Sequence, residues 1–352
     1  MLNVVDRYFI VDIELKILNI SNLEKYDSQK MYKIYDQWPD IARESFEIKQ
    51  KSIDIENVKH IVFAGMGGSG ALSDLMFSLF SKTGIHVDIV KGYLLPKTVN
   101  CKTLVVIISV SGDTVETLNI LKSAHKLKTK LLSFSNGGKI EKYCKKNKLE
   151  FHKVPTYHSP RASFASFLYT MLKILQPIIP IQKNEIINSI KKMEKLRDHI
   201  SSENLNNQNN AINLARWIPD VPVIYYPFGL QSAAIRFKNS LQENAKLHVI
   251  SEDIIEASHN GIVPWNKSKK FKPILIRGQD DFIKTKERWE IVKEFFDEKN
   301  VEYKEIFSIS GDILTKITNL IYFFDYVSIY TASIRKTDPT PTDPIRFIKK
   351  RI

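Results

Sequence analysis

The segment HIVFAGMGGSG, residues 60–70, decides the fold that we expect for this chain. It begins as a short apolar run and ends in glycines, and the next segment, ALSDLMFSLFSK (71–82), has apolar residues at helical spacing. A buried strand, a tight turn and a helix in this order form one βα unit. Chains built from such units place their strands in a parallel sheet with helices on its faces, so we expect an α/β protein.

The same order of elements recurs along the chain. Further strands are predicted at HVDIV (86–90), TLVVIIS (103–109) and KLLSFSN (130–136), with a helix opening between the last two. A second series follows, with strands predicted at VPVIYYPFG, KPILIRG and VEYKEIFSI (221–229, 272–278 and 301–309). The first strand of each series leads through a glycine-containing turn into a helix, which predicts two related sheets.

The two series divide the chain into five predicted parts. A polar stretch, SSENLNNQNN (201–210), separates them and marks the boundary. Helical spacing dominates the region before the first series, the region between the two and the C-terminal region. We therefore predict an N-terminal helical segment (1–55), a first α/β domain (56–155), a helical linker (156–210), a second α/β domain (211–310) and a C-terminal helix with a tail (311–352).

The composition favours a water-soluble, cytoplasmic protein. The chain has 352 residues, 43% of them hydrophobic, yet no uncharged apolar segment of about 20 residues that would predict a membrane span. The N-terminal residues carry acids and lack the pattern of a signal peptide.

Cys101 and Cys144 are too few for a disulfide framework and lack the spacing of zinc ligands. The net charge of +13 suits an anionic ligand, but the lysines are dispersed, which argues against nucleic-acid binding.

The first glycine turn is ambiguous on its own. Glycines let the backbone approach an anion, and the helix N-terminus behind them offers free N–H groups and a partial positive charge. Gly65, Gly67 and Gly70 also fit the GxGxxG pattern, and Asp88 stands near the position of the ribose-binding acid of a dinucleotide fold. This turn alone is compatible with a phosphate site and with an NAD site.

The turn after a later buried strand favours the phosphate site. Ser109, Ser111 and Thr114 supply three hydroxyl groups within six residues, again between a strand and a helix. Together with Ser69 they could enclose a phosphate monoester. The alternative is that Asp113 or Thr114 caps the helix in a capping box. Two such turns on buried strands of one series predict a phosphate site better than they predict two caps.

Six segments in this order resemble the archaeal and bacterial bifunctional phosphoglucose/phosphomannose isomerases, which belong to the sugar isomerase (SIS) domain proteins. They are GMGGSG (65–70), SVSGDTVET (109–117), PRAS (160–163), QENAK (242–246), SHN (258–260) and DPTPTDPIRFIK (338–349). The resemblance covers nearly the whole chain. It implies that the two α/β domains are SIS domains and that the protein is a homodimer whose active sites lie across the subunit interface.

The resemblance also implies a role for each site residue. Hexose 6-phosphates would be the substrates, held at the phosphate by Gly67, Gly68, Ser69, Ser109, Ser111 and Thr114. Glu243 would be the base, Arg161 would stabilise negative charge at the reacting carbons, and His259 of the partner subunit would open the sugar ring. Thr342 and Lys349 would line the same pocket.

The segment around the histidine departs from the family pattern. Family members more often carry an acid after His-Asn and a glycine before the tryptophan, where this chain has Gly261 and Pro264. The departure concerns the shape of the loop, because His259 and Asn260 are retained.

Aldose–ketose isomerisation requires this set of groups. Ring opening suits an imidazole, because its ordinary pKa is about 6.5. A carboxylate must then move a proton between two neighbouring carbons while positive charge stabilises the enediolate. The reaction needs neither a metal nor a redox cofactor, so we expect none. A regulator that binds phosphosugars without catalysis and an NAD-dependent dehydrogenase stay open as alternatives.

Overall fold

A computed structural model of the chain describes residues 18–55, 57–267 and 271–351. Its first elements are three short helices, α1 (Ile20–Tyr26), α2 (Met31–Asp36) and α3 (Trp38–Phe46). Pro39 lies in the first turn of α3, where a missing N–H leaves no helix hydrogen bond unmade. The helical spacing of this region is thereby confirmed, while residues 1–17 of the predicted segment lie outside the described residues.

The first sheet has five parallel strands in the order β2-β1-β3-β4-β5. Every residue of β3 is buried, as its continuous apolar run predicts for a strand covered on both faces. Because β1 and β3 are neighbours, the turns that follow them emerge side by side at the carboxyl edge of the sheet. The elements are β1 (His60–Ala64), α4 (Gly68–Phe80), β2 (His86–Val90), β3 (Leu104–Ser109), α5 (Val115–Lys126), β4 (Lys130–Ser135), α6 (Gly138–Lys146) and β5 (Glu150–Lys153).

The second sheet has four parallel strands in the order β7-β6-β8-β9. Three helices lead into it: α7 (Phe164–Ile174), α8 (Lys183–Ile200) and α9 (Asn210–Trp217). The remaining elements are β6 (Pro222–Tyr226), α10 (Gln231–Asn244), β7 (Ile250–Asp253), α11 (Ile254–Ala257), β8 (Lys272–Arg277), α12 (Ile283–Glu298), β9 (Lys304–Phe307), α13 (Ile313–Ile334) and α14 (Asp343–Lys349), with 3₁₀ turns at Phe228–Leu230 and Val263–Asn266. The predicted pair of parallel sheets flanked by helices is confirmed.

The two sheets share one apolar core. Ile61 of β1 and Ile224 of β6 belong to the same buried cluster, which also contains most of the apolar side chains of α13. Helices α4 and α10 pack across the two halves, with Ser78 Oγ 3.3 Å from Ser232 Oγ. Full burial of one such aliphatic side chain contributes about 1.5–3 kcal/mol, so this core fixes the relative position of the two halves. Among the described residues, no helix combines the length and apolarity that crossing a bilayer requires.

Candidate active site

The first glycine turn is built so that only glycine fits. Gly67 has a φ of +55° and precedes the first residue of α4. A Cβ atom on Gly65 would stand 2.8 Å from the backbone of Ser69, and one on Gly68 would stand 3.4 Å from the carbonyl oxygen of Pro160. The tight turn therefore requires glycine at positions 65 and 67, while a Cβ atom on Gly68 would make ordinary van der Waals contact with the backbone that precedes Arg161.

The hydroxyl groups of the second turn lie beside the first turn. Ser69 Oγ accepts a hydrogen bond from Val110 N at 3.3 Å and so ties the two turns together. Ser109 Oγ donates to Thr114 Oγ1 at 3.1 Å and accepts from Gly112 N at the same distance. Ser111 Oγ accepts from Asp113 N at 3.3 Å and remains exposed. The structure thus brings together the four predicted hydroxyl residues at one edge of the sheet.

The capping alternative for the second turn is wrong. Thr114 occupies the N-cap position of α5, but its side chain makes no capping hydrogen bond to the helix among the described residues. Asp113 does not cap α5 either, because its Oδ1 accepts a hydrogen bond from Lys139 N at 3.0 Å. The first N–H groups of α5 therefore remain available to an anion.

Arg161 and Glu243 form an ion pair next to these turns. Arg161 is buried, with 5% of its side chain exposed, and its Nη1 lies 3.1 Å from Oε2 of Glu243. The rest of the guanidinium is fixed as well: Nε donates to Asn244 Oδ1 at 2.6 Å, and Nη2 donates to the carbonyl oxygens of Pro339 and Thr340. One side chain therefore joins α10 to the C-terminal tail, and its planar fork fixes the carboxylate.

A second buried ion pair supports the first. Arg236 and Asp325 are almost completely buried, and Nη2 of Arg236 lies 2.7 Å from Oδ2 of Asp325. Arg236 Nη2 also donates to the carbonyl oxygen of Arg161 at 2.7 Å. Asn244 Nδ2 donates to Ser328 Oγ at 2.8 Å, which orients the amide oxygen toward Arg161. These contacts hold both the backbone and the side chain of Arg161.

A cavity of about 570 Å³ opens beside the Arg161–Glu243 pair. Gly67 of the first turn, Glu243 of α10 and Thr342 of the tail all contribute to its lining. Oε2 of Glu243 is engaged by Arg161, so Oε1 is the oxygen available to a molecule in the cavity. The side chain of Glu243 is 25% exposed, which agrees with a carboxylate that faces this opening.

Three lysines that the sequence reasoning did not single out also line the cavity, namely Lys91, Lys238 and Lys246. Lys91 Nζ pairs with Asp74 of α4 at 2.6 Å, and burial raises the pKa of Asp74. Lys246 Nζ donates to the carbonyl oxygens of Glu243 and Pro339. Burial, together with the Arg161 guanidinium, lowers the pKa of Lys246 to about 8. The lining is therefore rich in positive charge, which favours an anionic ligand.

The structure does not bring His259 and Lys349 to this cavity. His259 follows α11 in an exposed turn, where its N–H donates to the carbonyl oxygen of Glu256 at 2.9 Å. Lys349 is exposed at the end of α14 and is not among the described residues that line the cavity. A Cβ atom on Gly261 would lie 2.2 Å from Glu252 Oε2, so glycine at this departure from the family pattern makes room for that carboxylate.

Asp88 does not take the position that an NAD site needs. It lies in the middle of β2, opposite Val62, and its Oδ2 is 2.9 Å from His60 Nε2. His60 is the first residue of β1, whereas the glycine turn follows the last one. The carboxylate of Asp88 therefore contacts the first residue of β1, at the end of this strand opposite the glycine turn.

Two family models match the chain. Residues 54–176 match the SIS domain, and residues 207–352 match the bacterial phospho-glucose isomerase C-terminal SIS domain. The chain therefore contains two SIS domains. Both halves inferred from the βα pattern thus correspond to SIS domains, each containing one of the two sheets.

Two relatives are similar to this chain in sequence over most of its length, and a solved structure shares its fold. The chain is 28% identical over 331 residues to the bifunctional phosphoglucose/phosphomannose isomerase of Caldicellulosiruptor bescii, covering 89% of this chain and 96% of the relative. It is 27% identical to the protein of the same name from Aquifex aeolicus, covering 92% and 98%. The crystal structure of a hypothetical protein from Thermus thermophilus has a TM-score of 0.67 at 13% identity and covers 94% of this chain and 89% of that one.

Proposed function

We propose that this protein interconverts fructose 6-phosphate with glucose 6-phosphate and with mannose 6-phosphate. The observation that carries the proposal is the Arg161–Glu243 pair, 3.1 Å apart, at a cavity whose lining includes both Glu243 and Gly67 of the glycine turn. A phosphate at the turns and a carboxylate at the cavity wall are the two fixed points that a sugar phosphate isomerase needs. The similarity over most of the chain to two bifunctional phosphoglucose/phosphomannose isomerases supports the same activity.

The phosphate group supplies the binding energy that positions the sugar. The N–H groups at the start of α4 and α5, with the hydroxyls of Ser69, Ser111 and Thr114, offer donors to its oxygens, and Ser109 Oγ orients the Thr114 hydroxyl by donating to it. The lysines of the cavity add positive charge to the same region. Because the phosphate does not react, its binding energy serves to place the reacting carbons against Glu243.

Glu243 then transfers the proton. Its Oε1 removes the hydrogen from carbon 2 of the open-chain aldose, the electron pair forms the carbon–carbon double bond of the enediolate, and the carbonyl electrons move to the oxygen of carbon 1. The proton of the carbon 2 hydroxyl then passes to the oxygen of carbon 1, and the carboxylic acid of Glu243 protonates carbon 1 to give the ketose. Arg161 stabilises the negative charge that develops on the oxygens, from a buried and fixed position. Thr342 lines the cavity, and in this proposal it lies beside carbon 2 and would leave room for both epimers.

Ring opening is assigned to His259 of the partner subunit in a homodimer. The exposed turn that carries His259 is accessible to a second copy. Helix α14 offers an apolar surface for the same contact, with Ile345, Phe347 and Ile348 exposed at 39%, 59% and 57%. Lys349 on this helix would approach the site in the dimer. The enzyme would act in the cytoplasm, in glycolysis and gluconeogenesis.

The two alternatives have less support. A dehydrogenase would need an acid at the glycine turn, whereas Asp88 contacts His60 at the other end of β1. A phosphosugar-binding regulator would have no use for a carboxylate fixed by a buried guanidinium at the cavity. Both alternatives can be tested alongside the isomerase activity.

The test is a coupled assay with fructose 6-phosphate as substrate, EDTA present throughout and both aldose phosphates quantified. We expect formation of glucose 6-phosphate and mannose 6-phosphate without added metal or nucleotide. A protein that binds fructose 6-phosphate but forms neither product would be the regulator. Saturable binding of NAD or NADP without isomerisation would instead favour the dehydrogenase.

A further inference from the structure

We propose that His60, His86 and Asp88 form a binding site for a zinc-class divalent ion at the edge of the first sheet. Within the described residues, these side chains are the group of metal-ligating residues whose ligand atoms all lie within 4.8 Å of one another. The site is separate from the cavity of the proposed isomerase, because it lies where β1 and β2 begin and the glycine turn follows the end of β1. It goes beyond the proposed function and does not depend on it.

The backbone places the three ligands. His60 and His86 are directly paired in the parallel register of β1 and β2, and Asp88 follows two residues later on the same face of β2. The imidazole centroids of His60 and His86 are 4.9 Å apart. Two adjacent strands of a folded sheet fix these positions, so binding an ion would require little rearrangement.

The distances between the ligand atoms suit a small cation. Asp88 Oδ2 lies 2.9 Å from His60 Nε2 and 3.4 Å from His86 Nε2. Ligands at about 2.0–2.2 Å from a tetrahedral zinc ion are about 3.3–3.6 Å from one another. One contact therefore has to widen by a few tenths of an ångström, which a side-chain rotation provides. The side chain of His86 is 64% exposed, so water can complete the coordination.

Thr103 gives His60 the outer partner that a metal-binding histidine needs. Its Oγ1 lies 3.2 Å from His60 Nδ1 and also accepts a hydrogen bond from Asn100 N at 3.1 Å. When Nε2 binds a metal, Nδ1 carries the proton and must donate it. The Thr103 hydroxyl has a second lone pair that accepts this hydrogen bond from Nδ1. When the proton of His60 is instead on Nε2 and is donated to Asp88, the same hydroxyl donates to Nδ1. The Thr103 side chain is thus compatible with both states.

Two imidazoles and one carboxylate select the class of ion. Imidazole suits zinc and its transition-metal neighbours, whereas magnesium and calcium prefer oxygen ligands. The bound ion would join β2, the edge strand of the sheet, to β1. Since Lys91 directly follows β2 and lines the active-site cavity, the ion would stabilise the strand that positions this lysine without touching the substrate.

The experiment uses full-length protein without a histidine tag, treated with EDTA and exchanged into metal-free buffer. Zn²⁺ is titrated by calorimetry into the wild type, into His86→Ala and into the control His152→Ala. His152 is a suitable control because it also contacts a carboxylate, Glu150 Oε1 at 3.0 Å, but belongs to no group of three metal-ligating side chains among the described residues. We expect one equivalent of Zn²⁺ to bind the wild type and the control with equal affinity.

In His86→Ala the affinity should fall at least about 10- to 100-fold, the loss that removal of even an outer partner produces. Zn²⁺ should also raise the midpoint of thermal unfolding in the wild type and in the control but not in His86→Ala, because a ligand that binds only the folded state stabilises it. Millimolar Mg²⁺ should not displace Zn²⁺. No saturable binding in the wild type, or equal binding by His86→Ala, would overturn the proposal. Neither result would affect the isomerase assay, which contains EDTA.

Discussion

The guanidinium of Arg161, just before α7, contacts the carboxylate of Glu243 near the end of α10, with Nη1 3.1 Å from Oε2. The two residues are 82 positions apart in the chain. Only one carboxylate oxygen takes part in this contact, so the pair fixes the orientation of Glu243 and leaves Oε1 free to act. The carboxylate is therefore oriented before a substrate binds.

Replacing the proposed base should abolish turnover while binding persists. Glu243→Gln keeps the shape of the side chain but cannot take a proton, so we expect kcat to fall about 10²- to 10⁴-fold with sugar phosphate affinity nearly unchanged. Exchange of the carbon 2 hydrogen with solvent, followed by NMR, should stop as well. The matched control is Glu287→Gln on the exposed face of α12, which should leave kcat unchanged. Full activity in Glu243→Gln would remove the assignment.

Loss of a hydroxyl at the second turn should weaken binding more than catalysis. Ser111 is exposed at this turn and its Oγ lies 3.3 Å from Asp113 N, so Ser111→Ala removes a phosphate donor with little effect on packing. We expect KM for fructose 6-phosphate to rise about 5- to 10-fold, the loss of one hydrogen bond of about 1 kcal/mol, with a smaller change in kcat. Ser123→Ala, at an exposed position on α5, is the control. An unchanged KM in Ser111→Ala would place the phosphate elsewhere.

Sugar phosphate affinity should depend on pH through Lys246. Its pKa is lowered to about 8 by burial and by Arg161, so the charge that attracts the phosphate disappears as pH rises through this value. We expect KM measured between pH 7 and pH 9 to rise on the alkaline side. Lys246→Arg should flatten the profile, because arginine keeps its proton. A wild-type KM that is constant over this range would contradict the role.

The lowered pKa of Lys246 weakens substrate binding at alkaline pH, but it increases the free energy of unfolding there. Its pKa is lower in the folded state than the ordinary value of 10.5, so between about pH 8 and pH 10.5 the unfolded chain binds more protons at this site. The contribution of Lys246 to the free energy of unfolding therefore increases with pH in that range. Below that range, the charged form of Lys246 is less favourable in the folded protein than in the unfolded chain. Urea unfolding of the wild type and of Lys246→Gln across this range separates the contribution from those of other groups.

Shared active sites predict complementation between two inactive variants. If each site combines Glu243 of one chain with His259 of the partner subunit, a heterodimer of Glu243→Gln and His259→Ala has one intact site and one doubly altered site. Random mixing of equal amounts after unfolding and refolding should restore about a quarter of wild-type activity, since half of the dimers are heterodimers. Each variant refolded alone is the control. Failure to regain activity, with dimers present by light scattering, would contradict shared sites.

Breaking the buried pair beneath Arg161 should destabilise the protein strongly. Asp325→Asn leaves Arg236 buried without its anionic partner, and we expect the free energy of unfolding to fall by about 3–5 kcal/mol. Asp220→Asn makes the same chemical change in the exposed Asp220–Arg335 pair and should cost less than about 1 kcal/mol. Urea denaturation of both variants checks the difference. Equal losses of unfolding free energy in the two variants would mean that burial does not determine the contribution of the Arg236–Asp325 pair.

The fold was predictable where the hydrophobic pattern was unambiguous. The run of buried residues in β3 and the glycine turn after β1 are identifiable from sequence because a strand covered on both faces is continuously apolar. Strands β5 and β7 were not predicted, since they are short edge strands with exposed residues and carry no such signal. The division of the chain into five parts with those boundaries stays a prediction.

The candidate site residues were proposed from motifs and not from periodicity, and their roles stay a prediction. Arg161 and Glu243 are far apart in sequence, and only the fold brings them within contact distance. The cavity lysines Lys91 and Lys238 were not predicted because, in a chain with 52 lysines and arginines, neither stands out. His259 is exposed and does not line the cavity, and its role at the site of a partner subunit stays a prediction.

The ion pair between Arg161 and Glu243 also has a consequence for how the enzyme is assembled. Its two members lie on opposite sides of the polar stretch 201–210, so neither half of the chain carries a complete reaction centre. During refolding from denaturant, circular dichroism in the far ultraviolet follows the formation of helices and sheets within each half. Turnover would require Arg161 and Glu243 to be in contact, so its recovery would report the docking of the two halves.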